Sequence, residues 1–368
     1  MESDITYKAF FVLLRAGLWN RDAEDDCFPL SPKIWERVYR LARKQTVEGI
    51  VYDGMIRLPD QYLPPRNLLL KWVVEINTIE TINKRMTKNA GELYEFFTQN
   101  GIAAFLMKGQ GVAAYYDNPL HRVCGDIDWC FPDRENYDRA NRLIKQSNIP
   151  IEKQAGFSTC YTWKGFLIEH HRHLLDISNP FISNYLRRMQ QQEFGRSVYL
   201  DAGGRKVALP SPVLTHLSVN SHILKHLLSF GISVRQLCDS ACVCRTYHSK
   251  EEAESLEKIY RKLGIYRWIQ MLNTLLVNYL GMPEKYLPFP LASQQKAEIM
   301  MNDVLQGGNF GFYGGPLLQE TDEPQKERKN TWLHLLIRFG RYVGYAPKEA
   351  FWFPVMHSYS NIHKWFVR

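Results

Sequence analysis

Asp126 and Asp128 stand two residues apart in "GDIDWCF", a segment that is otherwise apolar. In a β-strand, residues i and i+2 project to the same side. The spacing therefore predicts two carboxylates together, with Ile127 facing the opposite way into a core. Like charges this close raise one another's pKa unless a cation lies between them. Magnesium suits such a place, because it is held by one or two carboxylates together with substrate phosphate oxygens. The alternatives are that one acid lies in water at the strand end, or that it pairs with Arg122. An Asp-x-Asp spacing by itself is common without catalysis, so its neighbours must decide.

Upstream, a strand ending at Lys108-Gly109 runs directly into a predicted helix over "GQGVAAYYD". A glycine at that turn lets backbone N–H groups approach phosphate, and Lys108 adds a point charge. The competing reading of Gly109 is an ordinary tight turn. Downstream, Leu167, Glu169 and His171 share one face of the strand "FLIEHH", so Glu169 offers a third acid. His170, His171 and His173, with His222 and His226 at i,i+4 spacing, are read as structural or exposed histidines. A zinc-protease helix needs Glu after its first His, and Ile223 stands there. Arg235 and Asp239 are read as a helix-surface ion pair, with lining of the cleft as the alternative.

The elements that must position these residues fall into three stretches. Residues 1–99 carry helical periodicity, with Ser31 and Pro32 opening one helix and a longer one running from Pro65 through Phe97. Residues 100–210 form a mixed core: strands over "IAAFLMKG" and "DIDWCF", and an amphipathic helix over "RENYDRANRLIKQ". Two hairpins follow, turning at Lys164-Gly165 and at Gly203-Gly204. Residues 211–368 return to helix, interrupted by an expected exposed loop from Gly307 to Asn330. The fold class expected is α+β, a small mixed sheet flanked by N- and C-terminal helical regions. Trp129 and Tyr116 are expected in the core.

The 368 residues are 45% hydrophobic, 13% aromatic and 23% charged, enough for a sizeable core. The net charge of +8 permits a polyanionic partner without requiring one, and no basic run forms a nucleic-acid arm. Seven cysteines lack zinc-ligand spacing and are read as reduced thiols. The acidic start and Arg15 make a poor signal peptide, and no apolar run approaches the roughly 18 residues of a membrane span. The expectation is a cytoplasmic protein without a membrane partner.

The set "FLMKGQGVAAYYDNPLHRVCGDIDWCF" followed by "IEHH" resembles the polymerase-β-like nucleotidyltransferase superfamily. More closely, it is similar to the bacterial family usually called uncharacterised nucleotidyltransferases. That family pairs a strand ending in Lys-Gly with a Tyr–Pro–Arg stretch, an Asp-x-Asp strand and an acid before a histidine. Here those are Lys108-Gly109, Tyr115 or Tyr116, Pro119, Arg122, Asp126, Asp128 and Glu169-His170. The broader superfamily has Gly-Ser or Gly-Gly where this chain has Gly109-Gln110, and a shorter interval to the first acid.

The resemblance implies transfer of a nucleoside monophosphate from an NTP to a hydroxyl acceptor, with release of pyrophosphate. It implies Mg²⁺ or Mn²⁺ held by Asp126, Asp128 and Glu169 in a two-metal mechanism, Glu169 also taking the acceptor proton. Lys108, Gly109, Gln110 and Arg122 would bind the nucleotide. The acceptor favoured is a small molecule or a protein. An RNA end, such as that of tRNA, is the alternative, and a catalytically inactive binding module is the third reading.

Overall fold

The computed structural model describes residues 4–23, 27–154, 158–245, 250–291, 297–308 and 332–366. The loop expected from Gly307 to Asn330 falls, from residue 309 onward, outside them. The N-terminal third folds as α1 (Ile5–Leu18), α2 (Pro32–Lys44), α3 (Glu48–Met55) and the long α4 (Arg66–Gln99). Pro32 opens α2, and Trp35, Val38, Tyr39, Leu41 and Ala42 form its buried stripe, as the periodicity predicts. Gly91 sits inside α4 because another segment comes close. A Cβ there would lie 2.6 Å from the Ala202 carbonyl oxygen of the second hairpin.

The core then runs β1 (Phe105–Met107), α5 (Lys108–Ala113), β2 (Ile127–Cys130), α6 (Arg134–Gln146), β3 (Glu152–Lys153), β4 (Ser158–Trp163) and β5 (Phe166–His171). After it come α7 (Ser183–Phe194), β6 (Val198–Asp201) and β7 (Lys206–Leu209). Both hairpins turn where expected, on residues with positive φ: Lys164 and Gly165, and Gly203 and Gly204. Helix α7 was not anticipated. Its polar run "RRMQQQE" masks the three residues it buries, Leu186, Met189 and Phe194.

Five strands form one sheet in the order β1-β2-β5-β4-β3, and β6-β7 forms a separate ribbon. Among the described residues only the β2–β5 pairing is parallel, and α6 with the β3–β4 segment makes the crossover. Alternation divides the sheet's two faces. Ile127, Trp129 and Ile168 join a core with Leu93 and Phe97 of α4 and Ala140 and Ile144 of α6. Asp128, Cys130, Glu169 and His171 therefore face the other way.

The C-terminal part folds as α8 (Pro212–Leu228), α9 (Val234–Cys244), α10 (Lys250–Leu263), α11 (Tyr266–Leu280), α12 (Ala297–Gly307), α13 (Trp332–Tyr342) and α14 (Pro347–Phe366). These helices do not form a core apart from the first ones. A continuous apolar cluster runs from Phe10, Leu14 and Trp35 through Leu237 to Leu272 and Met301. Buried Gln45, after α2, stitches the two ends: its amide donates to the Leu305 carbonyl at 3.0 Å and accepts from the Val234 N–H at 2.9 Å. Among the described residues no helix is long and apolar enough to cross a membrane.

Candidate active site

The parallel register sets Asp128 directly beside Glu169, and His171 follows on the same face of β5. One ligand atom from each of Asp128, Glu169 and His171 lies within 4.8 Å of the others. His171 Nε2 is 2.5 Å from Asp128 Oδ1 and 3.4 Å from Glu169 Oε2, so the imidazole lies against both carboxylates. Asp126 falls just before β2 rather than within it, and is not one of these three. His171, expected to be structural, thus lies at the centre of the carboxylate group. The signal for it was already present, since it shares the strand face of Glu169.

Lys108 reaches the same place by an unusual turn. Its φ of +47° lies in the left-handed region, and Gly109 follows at φ +23°. A Cβ on Gly109 would lie 2.9 Å from the Asp126 carbonyl oxygen. Glycine thus lets the turn close onto the segment before β2 and carries Lys108 Nζ to 3.6 Å from Asp128 Oδ1. Asp128 pairs with Lys108 and not with Arg122.

The electrostatics divide the acids. Repulsion from Asp128, then burial and Glu169, pushes Asp126 up to about 7. Burial also penalises charge on Asp128, but Lys108 and His171 outweigh it and hold that carboxyl far below the ordinary range. Burial, then Asp128, raises Glu169. Lys108 is itself raised, because Asp128, Asp176, Asp126 and Glu169 together overcome its desolvation. More negative than positive charge is thus gathered around one lysine.

Asp176, in the loop after β5, was missed from sequence. It accepts from Lys225 Nζ at 2.7 Å and lies 2.8 Å from His222 Nδ1, while His222 and His226 meet at 3.0 Å between their Nε2 atoms. Burial, then the charge of Lys108, lowers His222 to about 4. The histidine pair of α8 therefore lines the carboxylate face as neutral groups beside the Asp176–Lys225 ion pair. No local pattern marks Asp176, because its partners lie 46 and 49 residues away.

Three further residues or pairs sit differently from expectation. Arg235 and Asp239 do not form a surface pair. Asp239 is buried and receives Arg122 Nε and Nη2 at 2.7 and 2.8 Å and the Tyr116 hydroxyl at 2.7 Å. Arg235 instead donates to the Val123 carbonyl at 2.7 Å. The Arg122 guanidinium is thus committed to α9 as a two-pronged structural clamp. Gln110 is also turned inward, its amide on the Met86 sulfur at 3.4 Å, which leaves its backbone to serve the turn. Tyr116 and Trp129 are buried, as expected.

A small mixed sheet with acids on adjacent strands, set between helical regions, places the chain in the nucleotidyltransferase class. The family follows from its sequence: the model of the uncharacterised nucleotidyltransferase family matches residues 31–281, and the chain belongs to that family. Among solved structures, an antigenic nucleotidyltransferase-like protein from Paracoccidioides brasiliensis is similar at 16% identity. The match covers 55% of this chain and 92% of that one, with a TM-score of 0.32. No curated protein matches.

Proposed function

We propose that the protein transfers a nucleoside monophosphate from an NTP to a hydroxyl on a small molecule or a protein. The observation that carries this reading is the convergence of Asp128, Glu169 and His171 within 4.8 Å beside Lys108. The donor set fits a divalent cation: two hard carboxylates and an imidazole, with Asp126 pushed to about 7 by uncompensated negative charge. Asp126, Asp128 and Glu169 would hold Mg²⁺ or Mn²⁺, and His171 would join them. Such ions supply charge neutralisation at the α-phosphate and at the departing pyrophosphate.

The chain's own groups do the rest. Lys108 and the backbone of Gly109 and Gln110 hold the phosphate tail. The raised carboxyl of Glu169 takes the acceptor's proton as its oxygen bonds to the α-phosphorus. The bond from the α-phosphorus to the bridging oxygen breaks, and its electron pair leaves with pyrophosphate. Positioning and charge stabilisation provide most of the acceleration in phosphoryl chemistry of this kind. The seven cysteines, all among the described residues, form no disulfide, in keeping with a reducing cytoplasm.

The test is incubation with each α-labelled NTP, magnesium and a cell lysate, followed by identification of the labelled species. Label on a small molecule or protein, dependent on Asp128, is expected. Label at an RNA 3′ end would reassign the acceptor. No label with any of the four NTPs, in protein shown to be folded, would sink the enzymatic reading.

A further inference from the structure

A second cleft, of about 380 Å³, opens between α6, the edge strand β3 with its neighbour β4, and α14. Arg134, Arg142, Lys145, Lys153 and Arg172 line it, against one carboxylate, Asp138. Asp138 is taken up by Arg134 in an exposed i,i+4 pair at 3.5 Å, which neutralises little. The side chains of Arg142 and Lys145 make no hydrogen bond or ion pair among the described residues. The floor is rigid: Thr159 donates to the Asn141 side-chain oxygen at 2.7 Å, and buried His170 meets the same atom at 3.1 Å.

Arg172 directly follows His171, but α6 and His170 belong to the opposite side of the sheet from Asp128 and Glu169. The cleft is therefore distinct from the carboxylate site, back to back with it at the end of β5. Its volume is that of a small-ligand pocket rather than an extended groove. Cations from α6, from β3 and from the residue after β5 line this one cleft, which selects clustered negative charge. We propose that this cleft binds a small ligand bearing more than one phosphate group, of the size of a nucleoside diphosphate. The exposed guanidinium of Arg142 suits forked pairing with phosphate, and the Asn141 amide, which donates one N–H to the Tyr137 carbonyl at 3.0 Å, keeps its second for the ligand.

The experiment is calorimetric titration of the full chain with ADP, with inorganic tripolyphosphate and with a single-stranded oligoadenylate, in chelator. Wild type, the double variant R142A/K145A and Asp128→Asn are compared. Both replaced cations are exposed, so the double variant keeps its fold, which circular dichroism checks. ADP and tripolyphosphate binding should weaken at least tenfold in R142A/K145A and persist in Asp128→Asn. Binding unchanged in R142A/K145A, lost only in Asp128→Asn, or absent from wild type would each overturn the proposal. So would oligoadenylate binding more tightly than ADP with a log–log salt slope several times the roughly −0.7 of one phosphate contact, which would mark a nucleic-acid surface instead.

Discussion

At the scale of single residues, the site is an arrangement of charges held in unfavourable company. Asp126 has its pKa raised above its unfolded value, so its protonated form favours folding and its ionised form opposes it. That contribution is fully present below the unfolded pKa of about 3.9 and is lost as pH rises towards about 7. Asp126→Asn should therefore stabilise the metal-free protein near pH 8 by at least about 1 kcal/mol, while reducing transfer by about 10²–10³-fold. Urea denaturation in chelator and pyrophosphate release measure the two effects, and a destabilised Asn variant would contradict the repulsion argument. Glu169→Gln should abolish transfer and leave the Kd for a non-hydrolysable NTP nearly unchanged. Lys108→Ala should weaken that Kd about tenfold, or ~1.4 kcal/mol. The reverse pattern in titration calorimetry would exchange the two roles. Asp128 and Glu169 were legible as carboxylates on one sheet face because strand alternation is a local rule, whereas Asp126 falls just before β2. His171 was visible by the same rule but was discounted, since a histidine on a strand has many structural uses.

At the scale of elements, side chains far apart in sequence fix how helices meet the core. His121 lies between α3 and α4, its Nδ1 2.7 Å from Asp53 and its Nε2 3.1 Å from Glu80. Burial opposes its charge, but Asp53 and then Glu80 outweigh that and raise its pKa. A histidine raised in the fold stabilises fully below its unfolded value, and that stabilisation is lost as pH rises through the folded one. The stability difference between wild type and His121→Gln should thus be largest near pH 6, roughly 1–3 kcal/mol, and shrink towards about pH 9. Denaturant melts across that range test it, and a difference that grows with pH would refute it. Arg122→Ala leaves Asp239 charged and buried without its partner. It should cost about 3–5 kcal/mol of stability, read by the same melts. Unchanged stability with lost nucleotide binding would return Arg122 to the phosphate site. The strands other than the two-residue β3, the turns and α6 could be read from pattern, whereas α7 could not, because three apolar contacts spread over twelve mostly polar residues give little periodic signal.

At the scale of the whole molecule, the first and last helices share one interior. Arg15 Nε donates to the Tyr279 carbonyl at 2.8 Å, and Trp19 Nε1 donates to the Leu280 carbonyl at 2.6 Å. Leu14 is fully buried in the joint cluster. Leu14→Ala should cost about 2–5 kcal/mol. It should also lower the unfolding midpoints of tryptophan fluorescence and far-ultraviolet dichroism together, as expected of one cooperative unit. Separate midpoints, with only one moved, would show instead that the N-terminal helices unfold independently.

The sequence by itself determined the acids, the glycine turn beside them, the hairpins and the helical stretches on either side. Each follows from spacing over a few residues: alternation of two, periodicity near 3.6, or a glycine where φ must be positive. Tertiary structure alone decided which groups meet. It joined Arg122 to Asp239 across 117 residues, brought Asp176 and Lys225 beside the carboxylates, and gathered cations that look dispersed along the chain into one cleft. Those pairings depend on how distant surfaces pack around a shared core, and no local pattern encodes that choice.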